Sequence, residues 1–217
     1  ITRYFSNLKS YFNGTNEHEA KFSIISTSNE YILHFPQLLS QEIGSYLVRS
    51  WPKTTENLNR LVNIKELRQN NFDVFHPTYY HPYFLRHIQK PYVITVHDMV
   101  HELFPQHFSS TDKTREKKKK VITNASHVIA ISENTRRDIL SFYDINPDKI
   151  SVIHHGHFQL NKNISTSLNK DFTIPYILFV GTRGIYKNFN FFLQSITPIL
   201  KERDILKQRK SVGYVFQ

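Results

Sequence analysis

The chain has 217 residues, of which 39% are hydrophobic and 14% are aromatic, which is enough to bury the core of one domain and to begin a second. This composition excludes an intrinsically disordered protein, and the absence of cysteine excludes disulfides and thiolate metal sites. No apolar run approaches the roughly 20 residues of a membrane-spanning helix. The 28 lysine and arginine residues outnumber the 18 aspartate and glutamate residues, so the formal net charge is +10 and an anionic partner is expected.

The first third of the chain carries one clear helical pattern and several weaker signals. Apolar residues at helical spacing predict an amphipathic helix over residues 1–12, ended by Asn13-Gly14. The apolar positions of this helix begin at the first residue of the chain, so we expect a strand to precede the helix. Short strands are predicted at Phe22–Ile25 and Tyr31–Leu33, and a helix at Thr54–Asn70, whereas residues 36–53 show no clear period.

From residue 73 onwards, short apolar segments alternate with helical ones. The predicted strands are Asp73–His76, Tyr92–Val96, Val128–Ile131 and Ile150–Ile153. Helices are predicted over residues 110–124 and from Ser132, as N-cap, to Tyr143. Polar and apolar residues do not simply alternate along these strands, and the strands alternate with helices. This pattern indicates a parallel sheet covered by helices on both faces. The predicted fold class is therefore α/β.

A polar stretch over residues 157–174 separates this region from the end of the chain and predicts a linker. Order is expected to resume at Pro175 with a strand, Tyr176–Val180, and then a helix, Phe189–Leu200, bent by Pro198. We therefore expect a first domain over residues 1–156 and an incomplete second domain over residues 175–217.

The loop after the last predicted strand carries a candidate phosphate site. Gly181 and Arg183 follow the strand, and Lys187 comes just before the helix that Asn188 opens. A helix N-terminus offers free N–H groups to a phosphate, Arg183 can hold two phosphate oxygens, and Lys187 adds a mobile charge. The spacing alone leaves open a diphosphate clamp or two solvated cations in an ordinary loop.

A second candidate site begins directly after a buried strand. His97-Asp98 stands where a catalytic or substrate-orienting pair is expected, because a histidine there can bond a hydroxyl or phosphate while its neighbour fixes its tautomer. The alternative is a loop histidine beside a capping aspartate.

Two further groups of histidines suggest zinc, but neither has the spacing of a zinc motif, and packing against aromatic rings is expected instead. These groups are His76, His81 and His87, and His154, His155 and His157. No metal site is predicted.

A basic stretch, Arg115–Lys120, lies on a predicted helix, with Arg136-Arg137 later in the chain. Such runs are usually solvated helix faces, and the functional alternative is attraction to an anionic membrane surface at about 1 kcal/mol per cation. A nucleic-acid-binding module would place aromatic residues among the cations, whereas Lys117–Lys120 contains none.

Six segments in the same order resemble those of the family 4 glycosyltransferases of the two-domain GT-B kind, and together they cover nearly the whole chain. The segments are Ile1–Phe5, Asp73–His76, Val93–Met99 with Phe104, Pro105 and Phe108, Ala125–Thr135, Ile150–Gly156, and Ile177–Asn188. The resemblance implies two Rossmann-like domains facing across a cleft, the first for the acceptor and the second for a nucleotide sugar. It implies transfer with retention of anomeric configuration and without a metal or other cofactor.

The resemblance also implies roles for individual residues. Arg183 and Lys187, beside Gly181, correspond to the pair that neutralises the donor diphosphate. His97, beside Asp98, corresponds to the catalytic-cleft histidine that contacts the transferred sugar. Arg3 and Tyr4 correspond to the acceptor side.

The expected acceptor is a glycan or a lipid-linked sugar of bacterial surface polysaccharide or lipopolysaccharide, at the cytoplasmic face of the membrane. The chain departs from the family at His155, where asparagine is usual, and lacks the paired-glutamate motif expected further along. Residues 1–217 alone are therefore expected to be inactive. The alternatives are a basic nucleic-acid-binding module and a non-catalytic nucleotide- or sugar-binding domain.

Overall fold

The computed structural model describes residues 2–15, 17–27, 29–32, 39–156, 179–180, 187–202 and 214–215. The chain divides into two compact units. The first comprises Ile1–Leu103 and Ser110–Gly156, and the second comprises Phe104–Ser109 and His157–Gln217. The predicted linker at residues 157–174 lies outside the described residues.

The first unit is built on a parallel sheet of three strands, in the order β1 (Val93–Val96), β2 (His127–Ala130) and β3 (Ile150–Val152). Ile94 lies opposite Val128, which in turn lies opposite Ile150. On the other side of β1, Phe75 forms a parallel bridge with Tyr92 and exchanges hydrogen bonds with Pro91 O (3.1 Å) and Val93 N (3.0 Å). All these segments run in one direction, so their carboxyl ends share one edge.

Six α-helices accompany this sheet within the described part of the first unit. They are α1 (Thr2–Asn13), α2 (Gln41–Ser50), α3 (Pro52–Gln69), α4 (Val100–Leu103), α5 (Thr114–Thr123) and α6 (Glu133–Phe142). Helix α6 packs on β2 and β3, and α5 packs on a 3-10 turn at Pro82–Arg86. Buried apolar side chains of sheet and helices form one cluster, which includes Phe84, Ile94, Val121, Val128 and Ile139. Burial of this apolar surface is the main force holding the layers together. The predicted α/β class is confirmed.

The strand predicted at Phe22–Ile25 is wrong. These residues form no strand, because side-chain amides of α3 bond their backbone in place of a neighbouring strand. Asn59 Oδ1 accepts from Ile25 N (2.7 Å), and Asn63 Nδ2 donates to Ser23 O (2.8 Å). The prediction at Tyr31–Leu33 also fails where the structure describes it, since Ile32 N–H closes a turn onto Asn29 O (3.0 Å).

Helix α2 lies where the sequence shows no clear period. A glycine inside a helix costs about 1 kcal/mol relative to alanine and obscures the helical signal. Here Gly44 allows a close approach, because a Cβ at this position would lie 2.0 Å from Ser26 Oγ. The glycine that weakens the sequence pattern is therefore required by the packing of α2.

The second unit contains a parallel pair of strands, β4 (Phe179–Val180) and β5 (Tyr214–Val215), and between them in sequence lies α7 (Phe189–Glu202). The ring of Phe179 packs on those of Phe189 (4.7 Å between centroids) and Phe192 (5.7 Å). The helix predicted from Phe189 is confirmed and continues past Pro198. The sequence did not predict β5, and Tyr176–Leu178 lie outside the described residues.

Helix α6 begins as its sequence predicts. Ser132 is its N-cap, and its Oγ accepts a hydrogen bond from Thr135 N (3.1 Å). We expect Ser132→Ala to lower the free energy of unfolding by about 1 kcal/mol, because an N–H of the first turn loses its acceptor. Urea denaturation measures the change, with Ser141→Ala in the last turn as control, since that hydroxyl donates to the carbonyl of Asp138 in the same helix and caps no N–H among the residues described. An equal loss in both variants would contradict the capping role.

Candidate active site

The carboxyl edge of the sheet in the first unit collects a group of polar and aromatic side chains. His76 follows the Phe75 bridge, Thr95 lies on β1, His97 follows β1, and His155 lies three residues beyond β3. Tyr4, from α1, contacts this group. We call these five residues the carboxyl-edge cluster. Ligands of parallel α/β sheets bind outside the carboxyl ends of the strands, so this is the expected place for a site.

One half of the cluster is organised around the buried hydroxyl of Thr95. It lies 2.9 Å from His76 Nε2 and 3.3 Å from Tyr4 Oη. The ring of Phe5 packs edge-on against His76, with 4.9 Å between ring centroids. Burial, and secondarily the charge of His97, lowers the pKa of His76 from 6.5 to about 4. His76 is therefore neutral at neutral pH.

The other half of the cluster is a pair of stacked histidines. His97 Nδ1 lies 3.2 Å from His155 Nε2, and the two ring planes are 23° apart. The ring of Tyr4 meets both imidazoles edge-on, at 5.8 Å from His97 and 4.9 Å from His155. Burial, and then the neighbouring His155, lowers the pKa of His97 to about 4, and burial also lowers the pKa of His155. One ring nitrogen of the facing pair donates and the other accepts, so the tautomers of the two rings are coupled.

The remaining ring nitrogen of His97 is the most informative atom of the cluster. Nε2 is buried and has no hydrogen-bond partner among the described residues. An unpaired buried polar atom costs about 1–3 kcal/mol, so such atoms are uncommon in folded proteins and are places where a water, an ion or a ligand can bind. Nε2 accepts in one tautomer and donates in the other. A hydroxyl can both donate and accept, so a ligand rich in hydroxyl groups satisfies either tautomer.

The chain matches the model of Glycosyltransferase Family 4 over residues 34–157, which is more than half of its length. The chain belongs to this family. Its role is therefore in glycosyl transfer, and the matched region contains all three histidines of the carboxyl-edge cluster. No curated protein matches the chain. Within the described ranges of this glycosyltransferase, no helix is both long enough and apolar enough to cross a membrane.

Asp98 occupies a different environment from its neighbour. Its side chain is 56% exposed, and its Oδ1 accepts from Val100 N (3.2 Å) at the start of α4 and lies 3.7 Å from Lys118 Nζ. Among the described residues the partner of the His97 ring is His155, so the tautomer of His97 is coupled to that residue rather than to Asp98. A catalytic role for Asp98 in the glycosyltransferase stays a prediction.

The other predicted site residues are distributed over both units. Tyr4 belongs to the carboxyl-edge cluster, and Arg3 is exposed beside it on α1. Lys187 is exposed and comes two residues before α7 begins. Gly181 and Arg183 lie outside the described residues, so the diphosphate clamp remains a prediction.

The packing of histidines against aromatic rings is found at His76, at His81, whose ring centroid lies 5.7 Å from that of Tyr83, and at His155. Outside the cluster, His81 Nδ1 accepts from Tyr83 N (3.2 Å), His154 Nδ1 lies 3.1 Å from Ile131 O, and His157 is not among the described residues. Among the residues that are, no three His, Asp or Glu side chains are arranged to hold a metal ion. Sequence reasoning missed that His76 and His155 join His97. The available signal was that each of them follows a segment of one parallel sheet.

Burial of His76 predicts a dependence of stability on pH. Its pKa is about 4 in the folded glycosyltransferase, against 6.5 ordinarily, so below pH 6.5 the unfolded chain binds the proton more readily. The stabilisation is complete above pH 6.5, and up to about 3 kcal/mol of it is lost as the pH falls to about 4. His97 acts in the same direction. Urea denaturation across this range should show a shallower pH dependence for His76→Gln than for the natural chain. Equal slopes would contradict the assignment.

Proposed function

We propose that this glycosyltransferase moves a sugar from a nucleotide-sugar donor to a glycan or lipid-linked acceptor, with retention of anomeric configuration. The observation that carries the proposal is the buried Nε2 of His97 at the carboxyl edge of the sheet, to which no atom in the described part of the chain bonds. The family match supports glycosyl transfer, and the position of His97 supports a role for it in contacting the transferred sugar.

The chemistry of His97 suits this role. Its pKa of about 4 keeps the imidazole neutral at neutral pH. As in glycoside hydrolysis, the sugar becomes cationic near its anomeric carbon in the transition state, and a neutral imidazole adds no repelling charge. A hydrogen bond from a sugar hydroxyl to Nε2 would orient the ring of the donor for attack. His155 would hold the tautomer through the facing nitrogen.

The leaving group is assigned to the loop before α7. We propose that Arg183 and Lys187, with the close backbone approach that Gly181 permits, neutralise the diphosphate as charge develops on it. The N-terminus of α7, two residues after Lys187, supports this placement because the first N–H groups of a helix attract phosphate.

The acceptor is assigned to the side of α1. Tyr4 lies in the carboxyl-edge cluster, and Arg3 is exposed next to it. By analogy with the family, we propose a surface-polysaccharide or lipopolysaccharide acceptor at the cytoplasmic face of the membrane. Lys119 and Lys120 are exposed on α5 and would contribute attraction to anionic lipids.

The proposal is tested by incubating the complete natural protein with a panel of nucleotide sugars and glycan or lipid-linked acceptors. We expect nucleoside diphosphate to be released with one donor, the α or β configuration of that donor to be kept in the product, and turnover to persist in EDTA. Inversion would overturn the retaining mechanism, and loss of turnover in EDTA would overturn metal independence. Absence of turnover with every donor, together with salt-sensitive binding to nucleic acid, would replace the proposal with the nucleic-acid alternative.

A further inference from the structure

The basic run Arg115–Lys120 predicts a solvated helix face, but the side chain of Lys118 is not solvated. It is fully buried on α5, whereas Lys119 and Lys120 beside it are exposed. Its Nζ donates to Glu102 Oε2 at 3.0 Å, and the Glu102 side chain is likewise buried. Tyr143 Oη donates to the second oxygen, Glu102 Oε1, at 2.7 Å. The ion pair is therefore enclosed and both carboxylate oxygens are bonded.

A buried ion pair is weak evidence for stability, because desolvation of two charges offsets most of their attraction. The other groups that Lys118 contacts are more informative. Lys118 Nζ also donates to the main-chain oxygen of Asp98 and lies 5.1 Å from the centre of the Tyr80 ring. Tyr80 Oη in turn accepts the main-chain N–H of His97 at 3.1 Å. The main chain of residues 97 and 98 is thus bonded on both sides by side chains that touch each other.

We propose that Lys118 and Tyr80 are positioning residues that fix the main chain at His97 and so direct its Nε2 at the substrate. The inference rests on the proposed function of His97. Glu102 and Tyr143 act one step further away by holding the ammonium of Lys118. A bond from an ammonium group is about twice as strong as a neutral one, so the carbonyl of Asp98 is held firmly. Displacement of a reacting group by about 1 Å can lower a rate about 100-fold.

Two buried tyrosines offer a matched test. Tyr80 and Tyr92 are 6% and 4% exposed, and the Tyr92 hydroxyl bonds Val121 O at 2.7 Å, away from residues 97 and 98. We expect Tyr80→Phe to lower kcat about 10-fold or more with a smaller change in the KM for donor, and Tyr92→Phe to change kcat less than about twofold. Equal effects on kcat would show that only a general loss of packing is measured, and would overturn the inference.

Lys118 is tested by a pair of variants. Lys118→Met leaves the Glu102 carboxylate buried without its cation, whereas Lys118→Met combined with Glu102→Gln removes both charges. We expect the double variant to recover thermal stability relative to the single one, while kcat stays depressed in both because the Asp98 carbonyl has lost its donor. Recovery of kcat together with stability would reduce Lys118 to a structural role and overturn the inference.

A third measurement does not depend on turnover. In ¹⁵N-labelled protein, Tyr80→Phe should shift the main-chain amide resonance of His97, and Tyr92→Phe should leave it in place. If the natural protein transfers no sugar, the proposed function fails, and this amide shift still reports whether Tyr80 fixes the His97 main chain. An unchanged His97 amide in Tyr80→Phe would overturn the inference in either case.

Discussion

Replacing His97 with alanine is expected to lower kcat for sugar transfer by about 100-fold or more in the complete natural protein, the lower end of the range for a well-placed catalytic group. The variant removes the buried Nε2, and with it Nδ1 and the contact of that atom with His155. If the nitrogen contacts the transferred sugar, its loss weakens binding in the transition state more than in the ground state. Steady-state kinetics with the accepted donor should therefore show a larger change in kcat than in KM.

His154→Ala is the matched control for this experiment. His154 is adjacent to His155 in sequence, is exposed, and contacts the main-chain oxygen of Ile131 at 3.1 Å. We expect its replacement to leave kcat within about twofold, as for surface substitutions generally. Comparable losses in both variants would indicate that any disturbance at the carboxyl edge of the sheet reduces turnover, and would contradict the role assigned to His97.

Removing both proposed diphosphate ligands, Arg183→Ala with Lys187→Ala, is expected to weaken donor binding by about 100-fold or more. A hydrogen bond to a charged group contributes about 1.5–3 kcal/mol, so the loss of two such bonds corresponds to at least that factor. Isothermal titration with the donor measures the affinity directly. The same titration with the free nucleoside, which lacks the diphosphate, should be little affected.

A control that removes the same number of positive charges distinguishes a diphosphate site from general electrostatic attraction of the donor. Lys119→Ala with Lys120→Ala also removes two cations, from the exposed side of α5. We expect this variant to change donor affinity less than about threefold, because exposed charges that make no direct contact with a ligand are largely screened at physiological salt. Equal losses in the two double variants would show that overall charge, and not a diphosphate site, determines the affinity.

The strands of the sheet could be predicted because the pattern that indicates each one lies within its own residues. Val93–Val96 is buried at three of its four positions, and a short apolar run bounded by polar residues indicates such a strand directly. The N-cap at Ser132 is equally local, since the serine hydroxyl and the N–H that it bonds lie three residues apart. The placement of His97 after a buried strand was enough to mark it as a candidate.

What could not be predicted depends on contacts between distant segments. Nothing near Phe22–Ile25 indicates that Asn59 and Asn63 bond its backbone, because those residues lie more than 30 positions away. Lys118 is one of four consecutive lysines, and it is buried because α5 packs against α4 and Lys118 Nζ lies over the ring of Tyr80. The partnership of His97 with His155 spans 58 residues and follows from the shared edge of β1 and β3.

The central claim is that the carboxyl edge of the first sheet contacts the transferred sugar through His97. A structure of the complete natural protein with its nucleotide sugar bound tests this claim most directly. The account predicts a sugar oxygen within about 2.6–3.2 Å of His97 Nε2, with His155 still facing Nδ1. A bound sugar that leaves this nitrogen without a partner, and contacts other side chains instead, would contradict it.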